Sequence, residues 1–275
     1  MIFFRVLLKR RAVAVGLGVM AVLALIALFA PFIARFDAEE IAVVDRLQPP
    51  SRKHWLGTDD VGRDLYSRLI YGTRLSLTIG ISVALATSIF GIPIGILAAY
   101  YRRLDNLLMR IMDGLMAFPG LLLGIAIMAA VGPRVINVVI ALSIVYVPRM
   151  ARVVRGVALQ AKEEQFVEAA RAVGARDLTI LVRHIFPQCL SPVIVQATFI
   201  FGYSVLGEAA LSFLGVGAPP HVPSWGNILS QGRPFIYQAP WLTTFPGVAI
   251  SMTILCLNLV GDGLRDALDP RIQMN

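Results

Sequence analysis

Five stretches of this chain carry no charged side chain at all: residues 12–34, 75–101, 114–133, 185–207 and 234–261. About 20 consecutive apolar residues are what a helix needs to cross roughly 30 Å of hydrocarbon. In lipid, backbone polar groups must be satisfied within the spanning segment, so these runs predict helices. A sixth run, residues 135–148, is short, but Met150, Ala151, Val153 and Val154 extend it past Arg149 and Arg152. Long arginine side chains at a helix end can snorkel to the interface. The expectation is an all-α membrane protein with six transmembrane helices. Composition agrees: 15% of the 275 residues are charged, against about a quarter in soluble domains.

The first run follows a basic start, "RVLLKRR". It is too long for a secretory signal, and Pro31 follows the only small-residue site, at Ala30, so an uncleaved anchor is expected. Six spans place both termini on one side, taken as cytoplasmic. Inner loops and ends then hold 16 of the Lys and Arg residues and the outer side nine. That bias fits the positive-inside rule. It also assigns the basic charge to loops facing an anionic leaflet rather than to nucleic acid. Cys189 and Cys256 both fall in predicted spans, as buried free thiols do.

Between the first two spans lies a polar segment, residues 35–74, punctuated by Pro49, Pro50, Gly57 and Gly62. Its end, "RDLYSRLIYGTRLSL", predicts an amphipathic helix leading into span 2. A second outer loop holds Trp225, read as an interface aromatic or part of a short re-entrant helix. Gly91, Pro93 and Gly95, Pro119 and Gly120, and Pro187 and Pro192 mark spans with close packing or bends.

The segment "QFVEAARAVGARDLTILVRHIFP", residues 165–187, is charged although it stands between apolar runs. Phe166, Ala169, Ala170 and Val173 fall at helical spacing and predict one apolar strip. Gly174 sits where a helix C-cap would be. Asp177 is placed to cap a second helix, with Leu178, Leu181, Val182 and Ile185 as its apolar face and Pro187 at the start of span 5. A helix, a glycine turn and a second helix make a rigid knob. Periodicity alone leaves two uses open: a grip for a partner, or two helices resting on lipid.

"EAARAVG" with the later Pro187 resembles the Glu-Ala-Ala…Gly signature of permease subunits of binding-protein-dependent ABC importers. The likeness runs through "HWLGTDDVGRDLYSRLIYGTRLSL", "RIMDGLMAFPGLLL", "EAALSFLGVGAPPHVPSWGNIL" and "NLVGDGLRDALDP", which together resemble the C-type permease of the dipeptide/oligopeptide/nickel importers. One departure is Phe186, where the family usually has Leu before the proline. The resemblance implies the type I ABC-importer permease fold, with residues 1–74 as anchor and external segment. It further implies a core over residues 75–264 with a cytoplasmic coupling loop at about 156–187, and a cytoplasmic tail over 265–275. Glu168, Ala169, Ala170, Gly174 and Pro187 would be the ATPase-coupling positions. Without a partner, Glu168 reads as one half of a surface ion pair with Arg171.

No G-x-x-x-x-G-K-[ST] sequence occurs in the chain, so nothing cradles ATP phosphates as a P-loop does. The three histidines lie in separate loops, and no metal or nucleophile constellation is expected. The chain is read as a non-enzyme with no cofactor of its own, ATP and Mg being held by partner ATPases. Intramembrane charges are functional suspects. Glu208 in "VLGEAALSFLG" is read as lining the path or packing span 5, and Asp113 as paired with Arg110. Asp262, Asp266 and Asp269, with Arg265, are read as an inner cap past span 6.

The implied partners are a homologous second permease, two ABC ATPases, an extracytoplasmic substrate-binding protein and the lipid bilayer of a bacterial inner membrane. Di- and oligopeptides lead as substrates, with nickel complexes, glutathione or opine-like solutes as alternatives. A self-sufficient secondary transporter would carry its own coupling charges at the midplane, where only Glu208 qualifies.

Overall fold

A computed structural model describes residues 11–268, and its elements follow from the apolar runs. Helix α1 is Arg11–Leu28, α2 the single turn Ala30–Ile33, and α3 the long Leu65–Tyr100. Then come α4 (Arg102–Met116), α5 (Gly120–Val131), α6 (Val135–Lys162) and the short α7 (Gln165–Ala172). Helix α8 runs Asp177–Phe213, α9 is Trp225–Gly232, and α10 is Trp241–Leu268. Among the described residues the only β pairing is an isolated bridge between Thr58 and Asp64. The basic start, Asp269 and the end of the tail lie outside the described residues.

Five helices (α1, α3, α6, α8 and α10) are each long and apolar enough to span a bilayer. The third predicted span is different. It is not one helix but two, α4 and α5, bent by 91° at residues 117–119. Pro119 disfavours helical geometry at the residue before it, and α4 is amphipathic where α5 is apolar. With 12 residues, α5 is roughly 18 Å long, too short to cross alone. The pair makes a sixth span only if counted together.

Helix α3 absorbs the amphipathic helix expected before span 2. Its N-cap is Asp64, which accepts hydrogen bonds from the Ser67 amide and hydroxyl, both at 2.8 Å, and faces His54 Nδ1 at 2.9 Å. Helices α3 and α6 form the centre. A Cβ added to Gly91 would stand 2.6 Å from Met150 Cγ, and one on Gly95 would stand 2.6 Å from the Ala151 carbonyl oxygen. Small residues let these two backbones nearly touch, which is how helices associate where no water drives them together.

The main core joins Ile79 and Val83 of α3, Val138, Met150 and Val154 of α6, and Ile200 and Leu211 of α8. Helix α1 lies at the edge against α10, with most of its side chains open to the surroundings. Residues 34–64 fold over one end of the bundle together with α9. There Arg68 is fully buried and donates to the Ala38 carbonyl at 3.3 Å and to Gln231 at 3.0 Å. Asp45, in the same segment, is held below the usual carboxylate range by its hydrogen bond from Lys53.

Candidate functional site

The charged segment after α6 is the first candidate. Helix α7 ends in a Schellman motif. The Gly174 amide donates to the Arg171 carbonyl at 2.9 Å and the Ala175 amide to the Ala170 carbonyl at 3.0 Å. Gly174 takes φ of +80°, which glycine adopts without steric penalty. The expected turn is therefore present.

The expected apolar strip of α7 is divided between two sides. Val167 and Ala170 are buried, while Phe166, Ala169 and Val173 point away from the bundle. Both sets have helical spacing, and the buried one joins Ile180, Leu181 and Ile185 in the main core. The knob is seated directly on the bundle, since Val167, Ala170, Ile180, Leu181 and Ile185 belong to the main core. Of the apolar face expected on the second helix, Leu181 and Ile185 are buried and Leu178 and Val182 are exposed.

The second helix is also not separate. Asp177–Phe213 is continuous, with a π-helical stretch at Ile180–Ile185 just before Pro187. Proline has no N–H and crowds the carbonyl four residues back. A wider turn ahead of it accommodates both. Pro187 itself is exposed on the wall of a cavity of about 730 Å³ between α6, α8 and α10. Asp177 caps nothing. It accepts hydrogen bonds from Tyr100 at 2.6 Å and Tyr101 at 3.2 Å, fastening the turn to the end of α3. Arg171 lies 5.6 Å from the Tyr100 ring centroid, and no ion pair with Glu168 occurs among the described residues.

Glu208 is fully buried near the far end of α8. Ser212 and Ser224 each donate to its Oε1 at 2.8 Å, and Ser76 of α3 donates to Oε2 at 3.3 Å. Ser224 is also the N-cap of α9 and accepts from the Asn227 amide at 3.1 Å. One carboxylate thus ties α3, α8 and α9 together. Of the two readings left open, packing is the one this geometry fits. Trp225 is not an interface aromatic. It is fully buried, with Nε1 donating to the Leu69 carbonyl at 3.3 Å.

Asp113 is not paired with Arg110. It accepts from Arg152 of α6 at 2.7 Å, and Asp105, about two turns back on the same face of α4, takes both prongs of Arg155 at 2.6 Å. These pairs hold the amphipathic α4 against α6 and line a cavity of about 570 Å³. Sequence reading missed Asp105 and Arg155, because their partners lie 50 residues apart on different helices. Arg149 is not at a helix end. It sits midway along α6, roughly 21 Å from Val135, beside a cavity bordered by α5 and α8.

Residues 91–274 match the family model described as binding-protein-dependent transport system inner membrane component. The chain belongs to this family. It is a membrane permease component of an ABC importer, located in the inner membrane. Residues 2–50 match a second model, the N-terminal transmembrane domain of oligopeptide transport permease C. A putative peptide transport system permease protein of Brucella suis is 50% identical over 270 residues, covering 98% of this chain and 91% of the relative. A dipeptide transport system permease protein of Alkalihalophilus pseudofirmus is 46% identical, covering 98% of this chain and 89% of its own. A glutathione transport system permease protein of Pectobacterium atrosepticum is also 46% identical, covering 98% and 91%. A chain of the inward-facing MetNI methionine ABC transporter superposes with a TM-score of 0.62 at 19% identity, over 74% of this chain and 98% of that one. The importer-permease fold is shared even where the sequence has diverged.

Proposed function

We propose that this permease imports short peptides, paired with a second, homologous permease, and that the α7 turn is the surface through which two ATPase subunits drive it. The observation that carries the coupling reading is the outward apolar face of Phe166, Ala169, Val173, Leu178 and Val182. Val173 is 85% exposed on a turn whose backbone is locked by the Gly174 cap. Helix α6 has 28 residues, about 42 Å, so its last turns overshoot roughly 30 Å of hydrocarbon and carry the turn clear of the lipid. A rigid apolar face standing in water fits a protein partner better than a bilayer.

In this reading Glu168 faces the partner as a hydrogen-bond acceptor, Ala169 allows close approach, Ala170 seats the turn on the bundle, and Gly174 and Pro187 set its shape. Both termini and α7 are cytoplasmic, and residues 34–64 with α9 face the binding protein outside. ATP and Mg are bound by the ATPases. Docked ATPases that approach one another shift the turn, and the core it belongs to follows, biasing the bundle between inward- and outward-facing states. The relatives' peptide, dipeptide and glutathione transport names support a short peptide as cargo.

The test is purification of the tagged chain from its native membrane in mild detergent, alone and with Glu168→Arg or Val173→Glu. A second permease and ATPases should accompany the unaltered chain, and only the ATPases should be lost from the variants. A chain that purifies alone, or ATPases retained by both variants, would refute the coupling reading.

A further inference from the structure

Three arginines follow one another along α6 at positions 149, 152 and 155, and they have different fates. Arg152 meets Asp113 and Arg155 meets Asp105. Arg149 has no ion pair and no hydrogen bond among the described residues. Its guanidinium carbon lies 5.5 Å from the ring centroids of both Tyr146 and Tyr203. Tyr146 donates its hydroxyl proton to the Tyr203 backbone carbonyl at 3.1 Å, which ties the Tyr146 ring of α6 to α8. The three side chains border a cavity of about 270 Å³, whose α5 wall includes Gly120 and Gly124 and whose lining contains no acidic residue.

A cation midway along a spanning helix needs a counter-charge, because insertion of an unpaired one is unfavourable by several kcal/mol. Two aromatic faces hold a guanidinium by its quadrupole attraction but leave its N–H edge unused. That edge is a planar fork suited to a carboxylate, which it binds through two parallel hydrogen bonds. The cavity supplies room for a terminal residue, and the Arg149 charge, with no acid in the lining to offset it, repels an ammonium group.

We infer that Arg149, framed by Tyr146 and Tyr203, is a carboxylate-holding station on the translocation path that takes the C-terminal carboxylate of the passing peptide. The inference rests on the peptide-import reading above and deepens it. Because the tyrosine rings belong to two different helices, a shift of α6 against α8 opens the frame and releases the carboxylate. The station therefore holds cargo in one state and lets it go in the other.

The test uses the whole importer in proteoliposomes with its binding protein. Uptake per ATP hydrolysed is measured for trialanine and for trialanine amide, each at a concentration that saturates the binding protein. The unaltered importer should favour the acid over the amide by roughly tenfold, the value of one charge-assisted hydrogen-bonded contact. Arg149→Met should bring that ratio close to one, and Arg149→Lys should restore part of it. An acid-to-amide ratio unchanged by Arg149→Met overturns the station. So does loss of the second permease from the Arg149→Met complex with recovery in Arg149→Lys, since the counter-charge would then be a residue of that subunit. An unaltered importer that hydrolyses ATP with the loaded binding protein yet takes up neither form overturns the peptide reading itself, and the station with it.

Discussion

The tripeptide Glu-Ala-Ala occurs twice, at residues 168–170 and 208–210, and the two copies live in opposite environments. At the first, the glutamate is exposed and Ala170 is buried against the bundle. At the second, the glutamate is the most enclosed group of the three, with serines from α3, α8 and the cap of α9 donating to it. Local sequence is the same, and both copies are helical. What differs is the supply of partners. Around Glu208 three hydroxyls converge and satisfy a carboxylate that lipid cannot, whereas Glu168 needs none because its surroundings are open. An acid in a helix is therefore structural or available according to what the rest of the chain brings to it.

The comparison breaks most sharply at Glu208. Glu208→Leu leaves the Ser76, Ser212 and Ser224 hydroxyls without their shared acceptor in a buried site. The expected loss is on the order of 2–4 kcal/mol. Thermal unfolding of the purified importer in detergent, followed by the fluorescence of buried Trp225, should show a clearly lowered midpoint. If the midpoint is kept while peptide uptake is abolished, Glu208 acts in the path rather than in the packing.

A smaller effect is expected at the turn that follows the first copy. Gly174→Ala meets no atom within 4 Å, so the only penalty is the left-handed backbone at φ +80°. That strain is about 1–2 kcal/mol. It should appear as a rise of roughly 5- to 30-fold in hydrogen exchange at the Gly174 and Ala175 amides, with the bundle's unfolding midpoint nearly unmoved. A drop in that midpoint as large as that of Glu208→Leu would mean the turn is a keystone of the core and not a separable grip.

Much of the fold was legible in the sequence, because bilayer thickness writes itself into the lengths of apolar runs. The Gly174 turn was legible for a similar reason, since one residue type is tolerant of one backbone conformation. The elbow at residues 117–119 was legible only as a bend or close packing at Pro119 and Gly120, because the apolar run 114–133 is continuous and a single proline can either kink a helix or end it. The buried face of α7 was legible only at Ala170, since the stripe of Phe166, Ala169, Ala170 and Val173 is as well spaced as the buried pair Val167 and Ala170. Glu208 was noticed but not explained, since Ser76 lies 132 residues away. Arg149 was misplaced because a charge near the end of an apolar run reads as the end of a helix, and α6 continues to Lys162.

The smallest expected effect is the sharpest control on the comparison. Glu168→Gln removes the same charge from the same tripeptide as Glu208→Gln, with the same change of volume. Glu168 has no ion pair among the described residues and faces outward, so its replacement should shift stability by no more than about 0.5 kcal/mol. Glu208→Gln keeps one acceptor oxygen but turns the other towards a donor, and should fall measurably lower in the same unfolding assay. Equal midpoints for the two variants would mean that the three serines do not need a carboxylate. Burial of Glu208 would then have to be explained by what it does during transport.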